Sequence, residues 1–139
     1  EYSMSSQLNV DTIVDKAGSG GTNVKVANTS TYVSDGGAVT QNTVQALTKV
    51  WLLGGNDASL TDSFNTASGT DNGTGDYTYT FTSAMSSANF TSHATGANNA
   101  RRYGFSEARA TTTNRFDYRD ESGNAADNTN SSAMHGDLA

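Results

Sequence analysis

Apolar positions in this chain are scattered singly or in pairs, and many fall on alternate residues. The clearest case is "YTYTFT", where Tyr77, Tyr79 and Phe81 alternate with Thr78, Thr80 and Thr82. A period of two places successive side chains on opposite faces of a strand. One face of this strand must therefore be covered. Just upstream, "GTDNGTGD" (Gly69 to Asp76) contains Asn-Gly, the strongest short hairpin signal, and predicts a hairpin connection. "LNVDTIVD" (Leu8 to Asp15) predicts a short strand, and "NVKVAN" and "STYVS" two more, ending at the turn Asp35 to Gly37. Val44, Leu47, Val50 and Trp51 fall at helix-compatible spacing. The β-branched residues and the missing capping box favour a strand over Leu47 to Leu53. The part before it is compatible with a helical turn or extended chain.

"ASLTDSFNTAS" predicts a strand carrying Leu60 and Phe64. "ANFTSHAT", "RRYGFSEARA" and "NRFDYRD" continue the cadence, and Ser131 to His135 predicts a last strand. The segment from Asp120 to Asn130 is polar enough to read as disordered. No solenoid or propeller period is present. Short strands at regular spacing predict an all-β fold, a small antiparallel sandwich or barrel. Trp51 sits in "VWLL" and reads as core. The Tyr77, Tyr79 and Phe81 face is expected to pack on Trp51 and Phe64 of an opposing sheet, or across a threefold interface.

Composition sharpens this picture. Only 34% of the 139 residues are hydrophobic, while Ser, Thr, Asn and Gly make up roughly half. Charged residues are also few, at 16%, so charge repulsion does not hold the chain open. A thin core is marginal in a domain this size, and oligomerisation is one remedy. The net charge of −6 disfavours nucleic acid or an anionic membrane as partner. No apolar run approaches the ~20 residues that span a bilayer, and no signal peptide is visible. Glu1, with no methionine before it, reads as a processed or trimmed start, or as a chain missing its true start. There is no cysteine, hence no disulfide or thiolate chemistry. The four N-x-S/T sequons, at Asn28, Asn72, Asn89 and Asn130, are what chance gives in such a chain.

No catalytic constellation is present. His93 and His135 lack diagnostic neighbours, and no nucleophile elbow, zinc-protease or Walker motif occurs. Neither an enzyme nor a cofactor is expected, and both histidines read as structural or surface residues. "DNGTGD" (Asp71 to Asp76) has half the oxygens of a calcium loop, but Asn-Gly already explains it as a turn. Arg101, Arg102 and Tyr103 concentrate positive charge and an aromatic ring on an acidic chain. They are candidates for binding a carboxylate or acidic glycan, against solvated arginines or interchain ion pairs.

The run from Leu47 to Phe90 resembles a module of bacteriophage tail-fibre and appendage proteins of the marine-phage type. The carriers are Lys49 and Trp51 as "K-x-W", "DSFN" (Asp62 to Asn65), "TDNGTGDYT" (Thr70 to Thr78), Ala84-Met85 and Ala88-Asn89-Phe90. "LNVDTIVDKAGSGG" (Leu8 to Gly21) and the ending "AMHGDLA" (Ala133 to Ala139) resemble the two ends of the same proteins. The resemblance implies a virion appendage subunit, a homotrimer whose jelly-roll-like β-sandwich knob (residues 38–139) attaches to the host surface. It implies an N-terminal segment (residues 1–37), carrying Leu8, Val10 and Ile13, that attaches to other tail or head proteins. The expected target is a host cell-surface glycan or protein. Two rival readings are a structural head fibre, decoration or adaptor without receptor, and a glycan-degrading appendage. The latter lacks a convergent carboxylate pair.

Overall fold

A computed structural model describes residues 31–33, 40–43, 46–96 and 102–137. The expected N-terminal strand and attachment residues Leu8, Val10 and Ile13 lie outside the described residues. Strands β1 (Thr31–Val33) and β2 (Thr40–Asn42) pair antiparallel in a ladder of their own. The expected boundary after Gly37 falls between them. The remaining strands are β3 (Thr48–Gly54), β4 (Leu60–Phe64), β5 (Thr66–Gly73), β6 (Asp76–Phe81), β7 (Thr91–Gly96), β8 (Tyr103–Arg109), β9 (Thr113–Arg119) and β10 (Asn130–His135). They form one antiparallel sheet in the order β4-β3-β10-β7-β8-β9-β6-β5. The all-β expectation is met, with no helix among the described residues.

The two edges of this sheet, β4 and β5, are consecutive in the chain. The expected single strand through "DSFNTAS" is two strands, broken at Asn65, whose φ of 57° is left-handed. The sheet thus curls into a nearly closed, barrel-like sandwich. Asn65 tolerates this conformation better than most residues. Its Nδ2 donates to the carbonyls of Lys49 (3.2 Å) and Ser83 (3.1 Å), and its Oδ1 accepts from Ser83 N–H (2.6 Å). One side chain therefore stitches β3, the β4–β5 corner and the segment after β6.

The interior is aromatic. Val50, Leu52, Tyr77, Tyr79, Phe81, Phe116, Tyr118 and Met134 point inward and are buried. Small residues make room for the rings. A Cβ at Gly54 would meet the Tyr79 hydroxyl, and one at Gly104 the Tyr118 ring. Most buried polar groups named here are paired, as burial favours, although Ser92 Oγ, Asn114 Nδ2 and Asn128 Nδ2 are buried without a hydrogen-bond partner. Tyr79 and Asn130 exchange hydrogen bonds at 3.0 and 3.2 Å, and Tyr118 bonds Ser132 at 3.2 Å. Six aromatic rings, counting Phe90, supply the core that the sparse aliphatic content withholds. The face of Tyr77, Tyr79 and Phe81 is thus covered within one chain, by Phe116, Tyr118 and Phe90. It does not pack on Trp51 and Phe64, which lie on the outer face, 39% and 51% exposed. The reading of Trp51 as core is corrected accordingly.

Each end of the barrel is plugged. At one end Phe90 meets Phe81 edge-on, and Met85 N–H donates to the Thr111 carbonyl at 2.8 Å. At the other, the Tyr77 hydroxyl donates to the Asn56 carbonyl (2.8 Å) and accepts from Asn128 N–H (3.1 Å). Asp127 accepts from Gly75 N–H at 2.8 Å. The segment 120–130, read as disordered from composition, is therefore placed by hydrogen bonds rather than by apolar burial. Asp120 caps its turn through Ser122 and Asn124 N–H, both at 2.9 Å.

Burial pushes the Tyr77 hydroxyl up to about 12, and those of Tyr79 and Tyr118 also upward. The unfolded chain ionises near the ordinary tyrosine value of about 10, before the folded one does. Stability linked to these groups is thus fully present below about pH 10 and falls as pH rises towards 12. Tyr77→Phe is expected to cost about 1–3 kcal/mol, because Asn128 N–H and the Asn56 carbonyl lose their partner. Urea unfolding at neutral pH measures the cost, and the alkaline loss should shrink in the variant.

Candidate functional site

Strand β3 has two apolar faces. Val50 and Leu52 face the core, whereas Trp51 and Leu53 face out. The antiparallel register carries this outer pair across the sheet. One row runs Phe64 (β4), Trp51 (β3), Ala133 (β10) and His93 (β7). The next runs Asp62, Leu53, Ser131, Thr95 and Tyr103 (β8). Between the banks β10 offers the small Ser131 and Ala133, so it forms a low floor there, while its His135, on the same face, stands beside His93. The result is an open groove of about 390 Å³, lined by Trp51, Leu52, Leu53, His93, Thr95, Ser131, Ser132 and Ala133. That volume falls in the range of small-ligand sites.

On the groove floor Thr95 Oγ1 and Ser131 Oγ hydrogen-bond to each other at 2.8 Å. His93 meets His135 edge-on, with ring centroids 6.2 Å apart. No carboxylate, ammonium or guanidinium lines the groove.

Beyond Thr95 the surface changes character. Tyr103 stacks with Phe105 at 6.5 Å, and the Arg119 guanidinium lies 5.8 Å from the Phe105 ring. Arg119 also pairs with Asp117 at 2.6 Å and donates to the Gly123 carbonyl. Of the expected receptor residues, Arg101 lies outside the described residues. Arg102 is half-buried, and its charge is felt by Asp120. Tyr103 is half-exposed at the groove's far bank. Leu53, His93, Thr95, Ser131 and Ala133 were not expected at a site. The signal for Leu53 and Trp51 was legible in "VWLL", since four consecutive apolar residues on a strand make both faces apolar.

The "DNGTGD" oxygens serve the hairpin. Asp71 accepts from Gly73 N–H at 2.9 Å, and Asn72 donates to Asp76 and Thr78. Asp76 is held by two Arg115 nitrogens, Nε at 2.7 Å and Nη2. Among the described residues no group of three or more His, Asp or Glu is placed to hold a metal.

The Arg115 hydrogen bonds, above all, hold the Asp76 carboxyl below its ordinary range. Its contribution to stability is present above about pH 4, the unfolded value, and is lost as pH falls through the lower folded value. Arg115 is nearly half-exposed, so solvent screens the pair and its contribution is small. Asp76→Asn should therefore lower stability slightly at pH 7 and flatten the acid limb of a stability-versus-pH series.

No helix among the described residues is long and apolar enough to cross a membrane. Comparison with family models, curated proteins and solved structures finds no match to this chain.

Proposed function

We propose that this chain is a subunit of a bacteriophage virion appendage, attaching the particle to the host surface. The observation that carries the reading is the ordered resemblance from Lys49 to Phe90. Its marked residues fall on one structural unit, β3 to the plug at Phe90. Asn65 closes the seam, Tyr77 and Tyr79 fill the core, and Met85 and Phe90 cap one end. The open groove beside Trp51 supports an adhesive role over a purely structural one. The N-terminal segment would join the chain to other virion proteins. Three copies would act together, so that weak single contacts gain by avidity. Because the aromatic core is complete within one chain, such a trimer would meet through outer surfaces.

Two measurements test the reading. Light scattering behind a sizing column should give a particle of about three chains. A stable monomer contradicts the trimer and leaves a decoration or adaptor domain. Labelled protein should bind permissive cells saturably. No binding, with normal adsorption of particles lacking the chain, overturns the attachment role.

A further inference from the structure

We infer that the outer-face groove between Trp51 and His93 binds a neutral saccharide of the host envelope. The inference rests on the attachment reading and specifies its ligand and its site.

The chain carries a net −6, yet the residues lining this groove include no Asp, Glu, Lys or Arg. Asp76, Glu107, Arg115 and Arg119, on β6, β8 and β9, pair with one another or with Asp117, and Asp62 on β4, beside Leu53, is an outward charge outside the groove lining. An anionic or cationic ligand would find no counter-charge in the groove. A neutral one has no such need.

An aromatic wall is paired with a hydroxyl floor in the groove. Trp51 is the only tryptophan of the chain and stands 39% exposed. Indole offers a flat apolar face with a polar N–H at its edge. A pyranose ring likewise has an apolar C–H face and a rim of hydroxyls. Each floor hydroxyl, Thr95 Oγ1 and Ser131 Oγ, carries one donor and two acceptor sites. Their mutual bond uses one donor and one acceptor, leaving one O–H and three acceptor sites on two exposed residues. Sugar hydroxyls both donate and accept, so they satisfy such a floor. A second copy of this chain laid apolar side down would bury the pair without partners, which is costly.

Trp51 on β3 and His93 on β7 are two strand spacings apart, about 9.5 Å, and Tyr103 on β8 is one further, about 14 Å. One or two sugar rings fit between these banks. Affinity for a single ring should be weak, with a Kd on the order of 1 mM.

The test is saturation-transfer NMR on the full chain. The probes are methyl glycosides of glucose, galactose, mannose and N-acetylglucosamine, and neutral oligosaccharides of each. Transfer to at least one probe is expected, with a saturable change in Trp51 fluorescence. Trp51→Ala should weaken binding at least tenfold, and Trp51→Phe should restore part of it. Ala133→Arg raises the floor without touching the indole and should abolish binding, with the circular dichroism of the fold unchanged. Absence of transfer to every probe overturns the inference. So does transfer that both variants leave intact. A fall in solution mass in both variants would identify the face as a subunit contact and likewise overturn it. Cell binding separates this from the broader reading. If the variants bind cells as well as wild type, the groove assignment fails and attachment stands. If wild type binds no cell, attachment fails, and glycoside transfer decides the groove alone.

Discussion

Gly69→Ala is expected to destabilise the protein by about 3 kcal/mol or more, lowering Tm by on the order of 10 °C. Gly69 lies on β5, opposite Tyr79, at the seam where the sheet closes. A Cβ there would stand 2.0 Å from the Ala58 carbonyl oxygen and 2.9 Å from the Tyr79 ring. Both neighbours are fixed. Ala58 is itself buried, at a positive φ of 61°, in the loop that joins β3 to β4. That loop is clamped by the Gly55 N–H bond to the Ser59 carbonyl (2.7 Å) and by Tyr77 on Asn56. A single methyl therefore has to push backbone, which is far more costly than displacing a flexible side chain. Gly73→Ala is the control. Its Cβ would meet nothing within 4 Å, so only its φ of 135°, a region L side chains rarely adopt, opposes the change, at about 1–3 kcal/mol. Urea unfolding of the two variants side by side separates the seam from ordinary glycine strain.

Asn65→Ala should cost a similar amount, about 3–4 kcal/mol. Three hydrogen bonds at about 1 kcal/mol each are lost, and alanine is placed at a left-handed φ for about 1 kcal/mol more. Asn65→Gly should recover only the backbone part. Asn65→Asp keeps the acceptor for Ser83 N–H but sets a carboxylate against the Lys49 and Ser83 carbonyls. Burial and that repulsion raise its folded carboxyl pKa. Its stability should therefore be greatest below about pH 4 and decline as pH rises, opposite in sign to the Asp76 contribution. Thermal unfolding of the three variants at pH 4 and pH 7 distinguishes these terms.

Period-two alternation made β6 and its buried face legible, and the hairpin was legible, although its turn is Thr74-Gly75 and Asn72-Gly73 lie within β5. Strand β3 was legible in extent, at Thr48–Gly54 against an expected Leu47 to Leu53. Three features were not. The break at Asn65 depends on a left-handed residue inside what reads as one strand, and only barrel closure demands it. The placement of 120–130 depends on Asp127 and Asn128 reaching Tyr77, some 50 residues away in the chain, which no local composition reports. The groove depends on register, because Trp51, Ala133 and His93 meet only once β10 has paired between β3 and β7. The outward turn of Trp51 follows from the same parity. With Val50 and Leu52 inside, alternation leaves it no inward position.

Immunogold electron microscopy of virus particles purified from a culture that expresses this chain tests the proposed appendage role. Label is expected on projecting appendages at the particle surface. Particles that carry no label, from a lysate in which the chain is plainly expressed, would contradict it.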